Sequence, residues 1–165
     1  MNALHVVGKG LAAGLAGGAV MTAVEKVEQA LTGRPSSHVP GRTLAHLLGL
    51  PHPDRDSVAR TWAMHYATAA AVGVLRAVMA AANLRGPGGS LMHSQVRLCI
   101  DQTLENATGV GAPPWTWPRD ELVVDVFHKT VYAMATGAIA DALVAPLPGS
   151  SAGRPQQSRR LKGFA

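Results

Sequence analysis

At 165 residues the chain is sized for one domain, and its composition is 47% hydrophobic, 15% charged and 4% aromatic. A water-soluble domain carries about 25% charged residues, so this composition argues for a surface that does not all face water. The net charge of +5 gathers in residues 150–165, where Arg154, Arg159, Arg160 and Lys162 stand without an acid. The remainder is nearly neutral, which speaks against a nucleic-acid surface, and a single cysteine excludes an intramolecular disulfide or a thiolate zinc site.

The first predicted helix covers about Leu4–Leu31, without proline, and stops at Thr32-Gly33-Arg34-Pro35. Gly10, Gly14 and Gly18 recur at four-residue steps and form a flat ridge that lets another helix approach closely. Glutamates follow at Glu25 and Glu28. The apolar run leads straight into Glu25-Lys26-Val27-Glu28 with no clear small-residue cleavage site, so it reads as a retained helix rather than a signal peptide. Residues 34–56 form a long connection with one short amphipathic candidate, Arg42–Leu48, suited to an interface or to the end of a bundle.

The second helix runs from about Ser57 to Asn83, capped by Asp56 or Ser57. Ala69, Gly73, Ala77 and Ala81 make a second small-residue ridge. Thr61, His65, Thr68, Val72 and Arg76 form one polar stripe. Gly86-Pro87-Gly88-Gly89 reads as a turn. The third helix spans about Ser90–Asn106 and places His93, Arg97, Asp101 and Glu105 at four-residue steps. Cys99 on it reads as a buried, inert thiol. A Pro/Trp-rich loop follows. The fourth helix spans about Arg119–Ala145, with Asp120 and Glu121 complementing its dipole and Pro146 and Pro148 ending it. Asp125, His128, Lys129, Tyr132 and Thr136 share one of its faces. No two-residue strand alternation appears.

These elements predict an all-α, four-helix bundle over residues 1–149, followed by a basic, disordered tail at 150–165. The Gly and Ala ridges favour a transmembrane bundle. So do Trp62, Trp115 and Trp117, which precede or open alternate helices and so stand on one side as interface anchors. A soluble Ala-rich bundle with the Trp side chains covering its ends is the alternative. Basic residues are slightly more numerous on the side of the termini, which places both termini in the cytoplasm of a multi-pass cell-membrane protein. The partners expected are membrane lipid and either further copies, joined through the Gly10/Gly14/Gly18 ridge, or another membrane protein to which this one is accessory.

In lipid the polar stripes must converge, since each outward-facing charge costs at least a few kcal/mol (roughly 2.5 or more). The predicted polar centre is Glu25, His65, Arg97, Asp101, Glu105, Asp125, His128 and Lys129. Arg97 can pair with Asp101, and Lys129 with Asp125 or, across helices, Glu105. Three uses remain open: a structural ion-pair network, a proton or ion path through titratable histidines, or a metal site. For the last, Asp125-x-x-His128 offers two ligands on one face. Di-metal bundles use a repeated Glu-x-x-His motif, and here one Asp-x-x-His occurs. No cofactor fingerprint and no enzyme signature is present, and the chain leans away from catalysis.

The order of features resembles the YagU-like family of small inner-membrane proteins. The resemblance rests on a Gly/Ala-rich first helix ending near Glu25, a second helix with His65, and Gly111-x-Pro113-Pro114. A Trp, Glu121, an acid at Asp125 and His128 follow. It covers the chain to about residue 145. The Pro-Pro-Arg of that family stands here as Gly33-Arg34-Pro35. The resemblance implies a multi-helix integral membrane protein and suggests a link to acid tolerance, and it supplies no established catalytic residues.

Overall fold

Asn2 starts the first helix by accepting a hydrogen bond from the Leu4 amide, and Gly33 ends it in the left-handed region at φ 74°, its N–H bonded to the Gln29 carbonyl. The structure, a computed structural model, describes residues 2–147. The predicted basic tail and the boundary at residue 149 lie outside them. Within the described residues the chain is all-α and contains no strand. Its helices are α1 (Ala3–Thr32), α2 (Val39–Leu47), α3 (Val58–Ala81), α4 (Gly86–Ala107) and α5 (Arg119–Leu143), with a single 3₁₀ turn at Pro114–Thr116.

The bundle thus holds five α-helices instead of four. The fifth is the short α2, which occupies the expected long connection after α1. Pro40 sits in its first turn, where a missing N–H costs nothing. Gly41 brings it onto α3, since a Cβ there would lie 2.6 Å from Thr61 Oγ1. The helix α4 begins four residues earlier than the turn-like Gly86-Pro87-Gly88-Gly89 suggested. Two contacts explain it. The Asp141 carboxylate of α5 accepts the Gly86 amide at 2.8 Å, and Gly89 lies so close to Leu84 that a Cβ would sit 2.5 Å from its carbonyl oxygen.

The long helices run alternately up and down. Along α1 and α3 the contacts descend from Gly10 against Val74 to Gly18 against Ala69 and Tyr66. A Cβ on Gly10 would lie 2.5 Å from Val74 Cα, and a Cβ on Gly14 would run into the Ala69 carbonyl oxygen. Gly73 faces the Gly10 and Gly14 backbones in return. The ridge is therefore consumed within the chain. This corrects the expectation that Gly10, Gly14 and Gly18 join separate copies, because the second ridge in the same sequence meets them first. Gly17 receives Thr136 of α5, and Gly137 of α5 receives Ser90 and Arg76.

The apolar core is made of small and medium side chains, Val6, Ala13, Ala77, Ala80, Ala140 and Val144 in one cluster and Met21, Ala69, Val72 and Tyr132 in another, and buried charges share the interior with them. Among the described residues no Leu, Ile, Phe or Trp is buried. The largest fully buried side chains are Arg76, Tyr132 and His93, whereas Leu11, Leu15, Val20, Val78, Val96 and Phe127 are exposed. Scattered exposed aliphatics are ordinary in any protein, but buried charges are not. Cys99, expected inside, is exposed on α4 beside Val96. The polar file His93–Arg97–Asp101–Glu105 takes the inward face and turns the thiol outward. Among the described residues, two helices, α1 and α3, are long and apolar enough to cross a membrane, by length and composition.

Candidate functional site

Two clusters of charge lie at opposite ends of the bundle. At the end where the chain enters α1 and leaves α5, Arg76 of α3 donates to Asp141 at 2.8 Å with none of its side chain exposed. Arg85 donates to the Asp141 carbonyl at 2.9 Å and to that of Val144. Lys9 donates to the Leu143 carbonyl at 2.6 Å. These bonds tie α1, α3, α4 and α5 together where the C-terminal carbonyls of α5 would otherwise lack partners.

At the other end the helices part around a cavity of about 690 Å³. All eight residues of the predicted polar centre line it: Glu25 from α1, His65 from α3, Arg97, Asp101 and Glu105 from α4, and Asp125, His128 and Lys129 from α5. The connection after α1 (Arg34–Ser37) and the segment Val110–Ala112 with Trp117 wall its outer part. Four helices bring polar side chains to the axis, and Leu, Val and Phe side chains are among those on their exposed faces.

The inner wall is an ion-pair network. Arg97 Nε donates to Asp101 Oδ2 at 2.8 Å. Lys129 donates to Asp125 on its own helix and stands 3.7 Å from Asp101 across the helix gap. Asp101, one turn before Glu105, is thus the partner that Lys129 finds on α4. The Glu105 carboxylate lines the cavity without an ion pair or side-chain hydrogen bond among the described residues. His65 Nε2 and Thr22 Oγ1 share a 3.0 Å hydrogen bond between α3 and α1.

Below the network the axis is closed. The Arg97 guanidinium carbon stacks 4.9 Å from the centre of the Tyr132 ring, and the Tyr132 hydroxyl donates to the Ala69 carbonyl at 2.6 Å. Beneath Tyr132, Thr136 and His93 are fully buried, and His93 Nε2 lies 3.0 Å from the Val72 carbonyl oxygen. His93 and Arg76, both on the predicted stripes, therefore lie outside the cavity.

Near its outer part, Arg34 folds back onto Glu28 through Nε and Nη2, the latter at 2.8 Å. The Glu28 hydrogen bond holds the guanidinium above its usual range, outweighing partial burial. Glu28 also stands 3.9 Å from His128 Nε2. Arg34 was missed as a site residue by sequence reasoning, because it follows the helix stop and carries no periodicity. The one available signal was Glu28 six residues earlier, within reach once Gly33 reverses the chain.

The predicted interface anchors differ in their surroundings. Trp115 is 84% exposed. Trp117 lines the cavity and donates to the Ala112 carbonyl at 2.7 Å. Trp62 stacks on Tyr66 with ring centres 5.7 Å apart. Asp125 and His128, the metal candidates, are engaged by Lys129 and approached by Glu28. Among the described residues no three His, Cys, Asp or Glu side chains are grouped so as to hold a metal ion.

No family model, no curated protein and no solved structure matches the chain.

Proposed function

We propose that this chain is a small multi-pass membrane protein whose polar cavity takes up a proton or a small charged solute. The observation that carries the reading is where the charges and the large aliphatics lie. Ionisable side chains of four helices converge on one cavity of about 690 Å³, while Leu and Val side chains cover the outside. In water such an arrangement forgoes the burial of large aliphatics that stabilises a soluble core. In a bilayer it is the favourable one, because lipid receives the aliphatics and most of the inward charges stand in ion pairs.

In this reading α1 and α3 are the clear spans, and α4 and α5 cross beside them with their charges turned inward. The sides then follow from the up-and-down arrangement. Lys9, Arg85 and the basic tail share the side of the termini, which favours a cytoplasmic location for both. The cavity faces the opposite side. Arg97 and Tyr132 close the axis below the cavity, and Arg76 is buried beyond them in its pair with Asp141. The reading is therefore a gated or alternating uptake site rather than a standing pore. The resemblance to the YagU-like family points the same way. A homo-oligomer or a membrane partner is compatible with this reading. The contact would use a face other than the Gly10/Gly14/Gly18 ridge.

Reconstitution in liposomes under a pH gradient tests it. Wild type is expected to dissipate the gradient, and Asp101→Asn and His128→Ala are expected to abolish that flux while leaving the helical circular dichroism spectrum unchanged. A co-purifying membrane protein together with absence of flux would replace the uptake reading with an accessory role. In that case the ion pairs would serve helix register.

A further inference from the structure

We propose that the cavity takes a small zwitterionic solute, its carboxylate against Arg97 and its ammonium against Glu105; the proposal rests on the uptake reading above and names its substrate class. Arg97, Asp101 and Glu105 stand in file on α4, so Arg97 and Glu105 are separated along the wall by about 12 Å between Cα atoms at the helical rise per residue. The inner member is short of an acceptor. The Arg97 side chain is 5% exposed, its Nε is held by Asp101, and its Nη1 has no hydrogen-bond partner. A buried donor left unpaired costs about 1–3 kcal/mol, a cost that an entering carboxylate removes. The outer member, the Glu105 carboxylate, faces the same space without an ion pair or side-chain hydrogen bond among the described residues.

The group between them is already used. Asp101 is shared by Arg97 and Lys129. A ligand is thus met by an unpaired guanidinium nitrogen at the inner end, the Glu105 carboxylate further out, and the unpaired Asp125 Oδ2 and His128 Nε2 in the same lining. A simple anion satisfies Arg97 and leaves Glu105 alone, in a lining where Glu25, Glu121 and Asp125 add further negative charge. A simple cation satisfies Glu105 and leaves Arg97 unpaired. A molecule with opposite charges at its two ends answers both Arg97 and Glu105. Met64, Leu104 and Val110 supply apolar wall for methylenes. The cavity volume falls within the range of ordinary small-molecule sites, roughly 300–1,000 Å³. Because a full helical turn separates each charge from Asp101, a longer zwitterion fits better than one with adjacent charges.

The test is thermal unfolding of the full chain in detergent, followed by tryptophan fluorescence. The probes are glycine, 5-aminopentanoate, propionate and propylamine. Binding to the folded state alone raises Tm with ligand concentration. The expected result is a rise with 5-aminopentanoate larger than that with glycine, and none with propionate or propylamine. Glu105→Gln and Arg97→Gln are each expected to remove the rise. Glu105→Gln keeps the test decisive if Arg97→Gln fails to fold, because Glu105 has no ion pair or side-chain hydrogen bond among the described residues to lose. A rise with propylamine equal to that with 5-aminopentanoate, a rise that survives Glu105→Gln, or no rise with either zwitterion overturns the proposal. Alkaline-carbonate washing of membranes separates this from the broader reading. A chain that stays in the membrane but ignores zwitterions refutes the substrate class alone, whereas a chain that washes off refutes the membrane protein itself.

Discussion

Arg97 lies over the face of Tyr132, with its guanidinium carbon 4.9 Å from the ring centre, and this pair separates the cavity from the closed half of the bundle. The stack lets a charged side chain sit deep in the protein with only one carboxylate, Asp101, bonded to it. An aromatic face takes over part of the work of a second counter-ion, worth up to about 2 kcal/mol where water is excluded.

Substitutions at Tyr132 separate the stack from the hydroxyl. Tyr132→Phe keeps the ring and loses the bond to the Ala69 carbonyl, so unfolding in detergent should show a loss of about 1 kcal/mol. Tyr132→Leu also removes the ring face and should cost a further 1–2 kcal/mol or so. Equal losses in the two variants would mean that the stack contributes nothing.

Among the described residues Asp141 is the acid that Arg76 pairs with, and Arg76 is wholly buried. Asp141→Asn leaves that guanidinium without a counter-charge and weakens the acceptor of the Gly86 amide. The expected loss of stability is about 3 kcal/mol or more. Arg76→Met should cost less, since Asp141 retains the Gly86 amide and part of it reaches solvent, with 21% of its side chain exposed. Chemical unfolding of both variants decides the order. A smaller loss for Asp141→Asn than for Arg76→Met would show that the pair is not held as described.

Two glycines of α1 should respond oppositely to alanine. A Cβ at Gly14 strikes the Ala69 carbonyl and the Gly73 backbone, whereas a Cβ at Gly8 meets nothing within 4 Å. Gly14→Ala should force α1 and α3 apart and cost about 1–3 kcal/mol. Gly8→Ala should be neutral or stabilising by up to about 1 kcal/mol. Thermal melts of the two variants side by side provide the comparison.

Much of this arrangement was legible before folding. The long helices follow from apolar stretches between Gly and Pro stops, with ends within a few residues of those expected. The eight residues of the polar centre could be named because four-residue spacing puts them on single stripes, and a bundle offers only one interior. Pairing between helices was less legible. Periodicity fixes a face but not the relative height of two helices, so Lys129 was offered Glu105 and meets Asp101, one turn away. Asp141 fell off the main stripe of its helix and proved to be the partner of Arg76. The Gly10/Gly14/Gly18 ridge announced a close approach without saying to which helix. Gly17 and Gly137, which admit Thr136 and Ser90, lay outside the ridge pattern altogether.

The most direct measurement is nitroxide accessibility in lipid bilayers, on a Cys99→Ser background that removes the exposed native thiol. Labels replace Leu15 and Val78, which are 45% and 49% exposed on α1 and α3, and Glu105, which lines the cavity. Leu15 and Val78 labels are expected to be reached by oxygen from the lipid and not by a water-soluble nickel complex, with Glu105 showing the reverse. Labels at Leu15 and Val78 that are open to the nickel complex would contradict the account.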